Sequence, residues 1–270
     1  MPNGHLPEEL LDDIVDLLHD SGDALKSCSL VSKSWIPRAR KHLFTDIKFT
    51  SPEHLQSWKS TFSDPSTSPA CYTKALLLKY PPCVATTDGE EVGWISTFTR
   101  VAHFQVDAFD LDIDWSGFNL TPFHGFSPAM RSLRLIFYAI PSSQVFDLIY
   151  SFPLLEDLAV TSLDRWMGSN DVLDDQTAVQ PSISPSFTGS LELDLWTQTD
   201  FVASRLLSLS GSIRFRRLQL TLNKKSDASA IAALVETCRF TLEYLEVACE
   251  LLSTLICCRC LQQSFISVRR

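Results

Sequence analysis

Short apolar segments recur along this chain at a nearly constant spacing, and this repetition constrains the fold more than any other feature. Each segment carries two apolar residues two positions apart, which is the pattern of a strand with one buried face. The pairs are Leu76/Leu78, Phe104/Val106, Leu133/Leu135, Leu158/Val160, Leu191/Leu193, Leu218/Leu220 and Leu245/Val247. Successive pairs begin 28, 29, 25, 33, 27 and 27 residues apart. Such a period is typical of stacked repeats, so the sequence predicts an irregular α/β solenoid over 71–250.

Helical patterns fill three of the intervals between these segments, at 143–151, 199–208 and 228–238. The longest interval contains residues 164–189, which are polar, include prolines and show no apolar period. Such a stretch predicts a mobile insertion, which is either part of a recognition surface or a tolerated surface loop. Residues 251–270 lose the repeat pattern, and we expect a tail, a terminal cap or the end of a truncated gene model there.

The face of the predicted sheet that points away from the core is the candidate target-binding surface. Alternate side chains of a strand point to opposite faces, and stacked repeats use their exposed face for binding. Its charges are mixed in sign, so they indicate no particular target chemistry. The candidate target-binding residues are Arg134, Glu192, Asp194, Trp196, Arg217 and Gln219.

One stretch of this region is basic. Residues 201–226 contain no carboxylate, and their basic residues are Arg205, Arg214, Arg216, Arg217, Lys224 and Lys225. Two interpretations are open. The stretch either receives an acidic or phosphorylated segment through charge-assisted hydrogen bonds, or it forms a solvated basic edge.

The first 48 residues are predicted to form a separate helical unit. Pro7 suits the first turn of a helix, and the carboxylates that follow favour the positive end of its dipole. The apolar residues of this helix form two stripes, one of Leu10, Ile14 and Leu17 and one of Leu11, Val15 and Leu18. So short a unit cannot bury both stripes. One of them is therefore expected to meet a partner; the alternative is that both stripes face the rest of this chain.

Two further helices complete this unit in the prediction. Residues 24–31 form the second, and Ser32 or Ser34 caps the third. Carboxylates are concentrated in 8–23 and basic residues in 26–41. These opposite charges favour packing of the first helix against the third.

Three blocks of this unit resemble the F-box. They are Leu6-Pro7-x-Glu9-Leu10-Leu11-x-x-Ile14, Leu25-x-x-Cys28-Ser29-Leu30-Val31-Ser32-x-x-Trp35 and Ala39-Arg40-x-x-Leu43-Phe44. The blocks keep the register of the motif, and the second block resembles its form in the F-box proteins of mushroom-forming fungi. The segment 152–158 resembles the degenerate leucine-rich segments that follow fungal F-boxes.

The resemblance implies a three-helix module that docks on the Skp adaptor of Skp–cullin–F-box ubiquitin ligases and, through it, on a cullin. The adaptor-binding residues that it implies are Leu6, Pro7, Leu10, Leu11, Ile14, Leu30, Val31, Ser32 and Trp35. The expected fold is therefore α+β. An F-box over 1–48 is followed by a linker helix and loop over 49–70, and then by a leucine-rich-repeat-like α/β solenoid.

We therefore expect a non-catalytic substrate-recognition subunit, whose F-box binds the adaptor and whose solenoid binds a target protein. The alternatives are a scaffold or regulator that uses either part outside a ligase, and an enzyme with an unrecognised site. The chain has no His-Glu-x-x-His pair, no Walker loop, no nucleophile elbow and no dinucleotide fingerprint, and these are the usual markers of such sites. No cofactor is therefore predicted.

Composition excludes several other classes. A net charge of −9 argues against a nucleic-acid binder. No apolar run has the length of a membrane span and the N-terminus lacks secretory features, so we expect an intracellular protein of the cytoplasm or nucleus. Cys28, Cys238 and Cys249 are predicted core thiols. Cys257 and Cys260 lack a second ligand pair, so no metal site is predicted.

Overall fold

The structure is a computed structural model of the 270-residue chain. It describes residues 7–79, 93–108, 120–137, 142–162, 185–194, 199–209, 213–222, 228–249 and 264–269.

The described residues form an open α/β fold with one sheet of nine strands. The strands are β1 Asp46–Phe49, β2 Ala75–Lys79, β3 His103–Ala108, β4 Ser132–Phe137, β5 Asp157–Ser162, β6 Ser190–Leu193, β7 Arg217–Leu222, β8 Tyr244–Cys249 and β9 Ser264–Arg269. They lie in the sheet in their order along the chain. Strands β1 to β8 are parallel, and β9 pairs with β8 in the antiparallel direction.

The apolar pairs that recur in the sequence lie side by side in this sheet. The first members form one continuous row across the strands, and the second members form another. Both rows are buried from β2 to β7, with Leu135 and Leu218 fully covered. The predicted strands are therefore confirmed, and the register of the sheet aligns their apolar pairs into rows that supply the core.

A repeated backbone hydrogen bond joins the strands at their N-terminal ends. The carbonyl oxygen of Thr45 accepts from the amides of Lys74 at 2.8 Å and Ala75 at 3.1 Å, so one carbonyl serves two consecutive donors of the next strand. The same arrangement occurs at the carbonyl oxygens of Lys74, Ala102, Arg131, Gly189 and Arg216. These repeated hydrogen bonds fix the register between the strands that they join.

Seven α-helices occur in the ranges given above. They are α1 Glu8–Leu17, α2 Gly22–Val31, α3 Ile36–Leu43, α4 Pro52–Thr61, α5 Ser142–Tyr150, α6 Thr199–Leu207 and α7 Ala228–Cys238. Helices α5, α6 and α7 agree with the three helical intervals predicted from the sequence. Short 3₁₀ turns at Ile95–Thr97 and Thr121–Phe123 lie between β2 and β4, so the connections are irregular.

Helices α1, α2 and α3 form the helical unit, which has its own small core. Val15, Leu25 and Ala39 are buried at its centre, and Trp35 packs against them. These residues are separate from the cluster that fills the sheet region. The acidic first helix packs on the basic third helix, because the Asp16 carboxylate pairs with Arg38.

Several predicted boundaries differ from the observed elements. Strand β1 begins at Asp46, so the boundary predicted after residue 48 falls inside it. The predicted linker 49–70 contributes Leu55 and Ala70 to the main core. The predicted insertion 164–189 is described only over 185–189.

The end of that predicted insertion is part of the core, because Phe187 is fully buried. In the predicted tail, 251–263 lies outside the described residues, and β9 covers the edge of β8. Cys28 and Cys238 are buried, as predicted. The structure describes neither the side chain of Cys249 nor the Cys257 and Cys260 pair.

Candidate protein-interaction sites

Five aliphatic side chains of the helical unit are exposed to solvent. Their exposed fractions are 48% for Leu10, 41% for Ile14, 82% for Leu17, 87% for Leu30 and 71% for Val31. The first three form a stripe along α1, and the other two end α2. A single exposed leucine is ordinary, but five in so small a unit indicate a surface that another molecule covers.

The two apolar stripes of α1 have different environments. Val15 is fully buried, and Leu18 packs against the small core. The stripe of Leu10, Ile14 and Leu17 is left uncovered by the part of the chain that the structure describes. The expectation that this unit buries one stripe only is confirmed, and what covers the other stripe is taken up below.

The other predicted adaptor-binding residues lie in varied places. Pro7 is exposed and precedes α1, whereas Leu11 is half-buried. Ser32 accepts a hydrogen bond from the Ser34 amide at 3.3 Å, so its side chain caps the turn before α3. Trp35 is half-buried against the small core. Leu6 lies outside the described residues. Leu17 is missing from the predicted set, although its position on the stripe of Leu10 and Ile14 was the signal for it.

Asp16 connects α1 to α3. Its carboxylate accepts two hydrogen bonds from the Arg38 guanidinium, one of them from Nε at 2.5 Å, and lies 2.7 Å from Nε2 of His42. These hydrogen bonds, that of Arg38 first, hold the pKa of Asp16 well below its usual range. The carboxylate is therefore ionised at neutral pH and helps to position the exposed stripe of α1.

Three of the candidate target-binding residues lie in one row across the exposed face of the sheet. The row contains Lys48, Leu77, Gln105, Arg134, Ala159, Glu192, Gln219 and Glu246. Arg134 on β4 donates to Glu192 on β6 at 2.5 Å. It reaches over β5, where the row holds the small side chain of Ala159. Trp196 lies outside the described residues, and Asp194 is half-buried just after β6.

The basic stretch is distributed over different elements. Arg205 lies on α6, with its guanidinium 5.5 Å from the ring centroid of Phe146 on α5. Arg214 is exposed, and Nε of Arg216 lies 3.9 Å from a carboxylate oxygen of Glu243. The stretch has no carboxylate of its own, but that of Glu243, immediately before β8, lies beside it. Lys224 and Lys225 lie outside the described residues.

A side chain at position 189 would collide with the carboxylate of Asp157, so this position needs glycine. That carboxylate accepts from the Ser190 amide at 2.6 Å and from the Ser190 hydroxyl at 2.7 Å. A Cβ atom on residue 189 would lie 2.2 Å from Oδ1 of Asp157, which is far inside van der Waals contact. The missing side chain thus leaves room for the two hydrogen bonds.

A Gly189→Ala variant is expected to lose about 1–3 kcal/mol of unfolding free energy, because the methyl group displaces Asp157 from its donors. Urea denaturation of the variant beside wild type measures this loss. Gly22→Ala is the matched control, because nothing lies within 4 Å of a Cβ there. Equal midpoints for Gly189→Ala and wild type would contradict the role given to Asp157.

No helix in the described ranges is long and apolar enough to cross a membrane. In the same ranges no group of three or more His, Cys, Asp or Glu side chains is placed to hold a metal ion. No protein-family model matches this chain, and no curated protein matches it either.

Proposed function

We propose that this chain is the substrate-recognition subunit of a Skp–cullin–F-box ubiquitin ligase. In this proposal α1, α2 and α3 are the F-box, which binds the Skp adaptor. The region of strands and helices that follows is a leucine-rich-repeat-like solenoid that binds the target protein. The observation that carries the proposal is the exposed stripe of Leu10, Ile14 and Leu17 on a helix whose other stripe packs inward around the buried Val15.

Apolar contact supplies the adaptor-binding energy in this proposal. Full burial of one leucine or isoleucine side chain contributes about 1.5–3 kcal/mol, and helices commonly dock with such a stripe in an apolar groove of the partner. Leu30 and Val31 add exposed apolar area at the end of α2. Asp16 supports the binding indirectly, because its contacts with α3 hold α1 in place.

The order of the strands supports the solenoid part of the proposal. Each strand pairs with its neighbour in sequence, and one carbonyl repeatedly bridges two amides of the next strand. This is the arrangement expected of repeats that contact only their neighbours. The target binds on the exposed face that carries Arg134, Glu192 and Gln219. The chain itself does no bond chemistry, because its contribution is to raise the effective concentration of the target beside the ubiquitin-loaded enzyme.

Co-expression of the full chain with a Skp adaptor and a cullin tests the proposal. We expect the three proteins to elute together in size-exclusion chromatography. An adaptor complex from which the cullin is excluded would support the scaffold alternative instead. Absence of the adaptor from the purified chain would overturn the proposal.

A further inference from the structure

A polar cleft opens at the N-terminal ends of β5 to β8. It has a volume of about 710 Å³ and is lined by Asp157, Gly189, Arg216, Arg217 and Tyr244, among others. Gly189 precedes β6, which lies between β5, where Asp157 is the first residue, and β7, which begins at Arg217 directly after Arg216. A Cβ atom at this position would lie 2.2 Å from Oδ1 of Asp157, so the Asp157 carboxylate fills the space beside the glycine.

Three carboxylates lie in or beside this cleft: Asp157 and Glu246 have close hydrogen-bond partners, whereas the exposed Glu243, which lines the cleft, lies 3.9 Å from Arg216. Asp157 accepts both hydrogen bonds from Ser190. Glu246 accepts from the amide of Gln219 at 3.0 Å and from the hydroxyl of Tyr244 at 2.7 Å. These two hydrogen bonds lower the pKa of Glu246 from its ordinary value, so it is held as a carboxylate.

Arg217 is the cation of the cleft whose guanidinium has no carboxylate partner among the described residues. Its guanidinium lies 5.3 Å from the ring centroid of Tyr244, and among the described residues it forms no ion pair. The stacking orders the guanidinium without using its N–H donors. Arg216 is 3.9 Å from Glu243, and both side chains are well exposed. Such a pair contributes little in water, so Arg216 is able to turn toward a ligand.

We propose that this cleft binds an anionic side chain of the target protein, with Arg217 as the principal anchor and Arg216 as the second. A guanidinium donates two parallel hydrogen bonds to a phosphate or a carboxylate, so the ligand is a phosphoserine or an acidic residue in an exposed segment. This inference rests on the target-binding role proposed above for the sheet.

Peptide selection on the immobilised full chain tests the inference. The probes are four libraries with randomised flanks and a fixed central phosphoserine, glutamate, serine or lysine. We expect at least about tenfold enrichment of an anionic centre over serine. Enrichment of phosphoserine alone identifies a phosphorylated segment, and enrichment of glutamate as well identifies an acidic one. Equal retention of all four libraries, or preference for lysine, would overturn the inference.

Two variants of Arg217 test whether the selected peptides bind in the cleft. Arg217→Gln is expected to remove the preference, and Arg217→Lys to restore part of it, since charge returns without the planar fork. The matched control is Arg239→Gln on the turn after α7, which does not line the cleft and where the arginine also stacks on an aromatic ring, 4.2 Å from the centroid of Phe240. A preference that survives Arg217→Gln, or one that Arg239→Gln removes equally, would show that the cleft is not the site.

Adaptor binding provides an independent readout for the same proteins. Arg217→Gln is expected to bind the Skp adaptor as wild type does, because Arg217 lies on β7 and the exposed stripe lies on α1. Anionic selection by a chain that binds no adaptor would support the cleft and refute the ligase proposal. The reverse result, adaptor binding without anionic selection, would refute only the cleft.

Discussion

An aspartate in place of Leu10 is expected to abolish binding of the Skp adaptor, with a loss of at least about 100-fold in affinity. The substitution removes an apolar side chain from the proposed contact. It also places a carboxylate where the partner offers an apolar surface, and burial of an unpaired charge is costly. Isothermal titration of the purified adaptor into the full chain measures the effect.

The fold is expected to tolerate aspartate at position 10. Its side chain is 48% exposed and it lies in the first turn of α1, where a carboxylate interacts favourably with the helix dipole. The melting temperature of the variant is therefore expected to match that of wild type. Trp35 is less suitable for the same test, because its ring packs against the small core of the helical unit.

Leu154→Asp is the control for this experiment. Leu154 has the same exposed fraction, 48%, but lies in the turn between α5 and β5. Its substitution is expected to leave the affinity for the adaptor unchanged. If Leu10→Asp bound the adaptor as tightly as Leu154→Asp does, the exposed stripe would not be the docking surface. The proposed function would then lose the observation that carries it.

Most of the sheet was predictable because strands β2 to β7 repeat the same two buried positions. Parallel strands in register align these positions into rows, so a spacing in sequence becomes a contact in space. Strand β1 carries the same signal, since Ile47 and Phe49 are two residues apart and Ile47 pairs with Leu76. It was missed because its residues follow three predicted helices closely and were divided between the helical unit, 1–48, and the linker, 49–70.

Contacts that depend on one side chain were not predictable in the same way. The ion pair of Arg134 with Glu192 requires a small residue at Ala159 on the strand between them. The cleft depends on the stacking of Arg217 on Tyr244 and on the close approach of the Asp157 carboxylate to Gly189. Such arrangements depend on rotamers, which a periodic pattern of apolar residues does not specify.

Phe187 shows why a polar segment was mistaken for a loop throughout its length. The segment before it is rich in serine, proline and aspartate, and one aromatic residue does not change the polar composition of the whole segment. In the structure Phe187 is fully buried, with its ring centroid 5.2 Å from that of Phe215. It fastens the chain to the core immediately before β6, so the loop character ends earlier than composition suggests.

Replacement of Phe187 by alanine is accordingly expected to lower the free energy of unfolding by about 3–5 kcal/mol, since it removes buried apolar area and leaves a cavity beside Phe215. Urea denaturation followed by circular dichroism measures the loss. Phe240→Ala is the same substitution at a ring that is 82% exposed, and its effect is expected to stay within about 0.5 kcal/mol. Equal unfolding midpoints for the two variants would mean that residues 185–189 are not part of the core. A large difference would show that the stability of the fold depends on an aromatic residue outside the repeated apolar pairs.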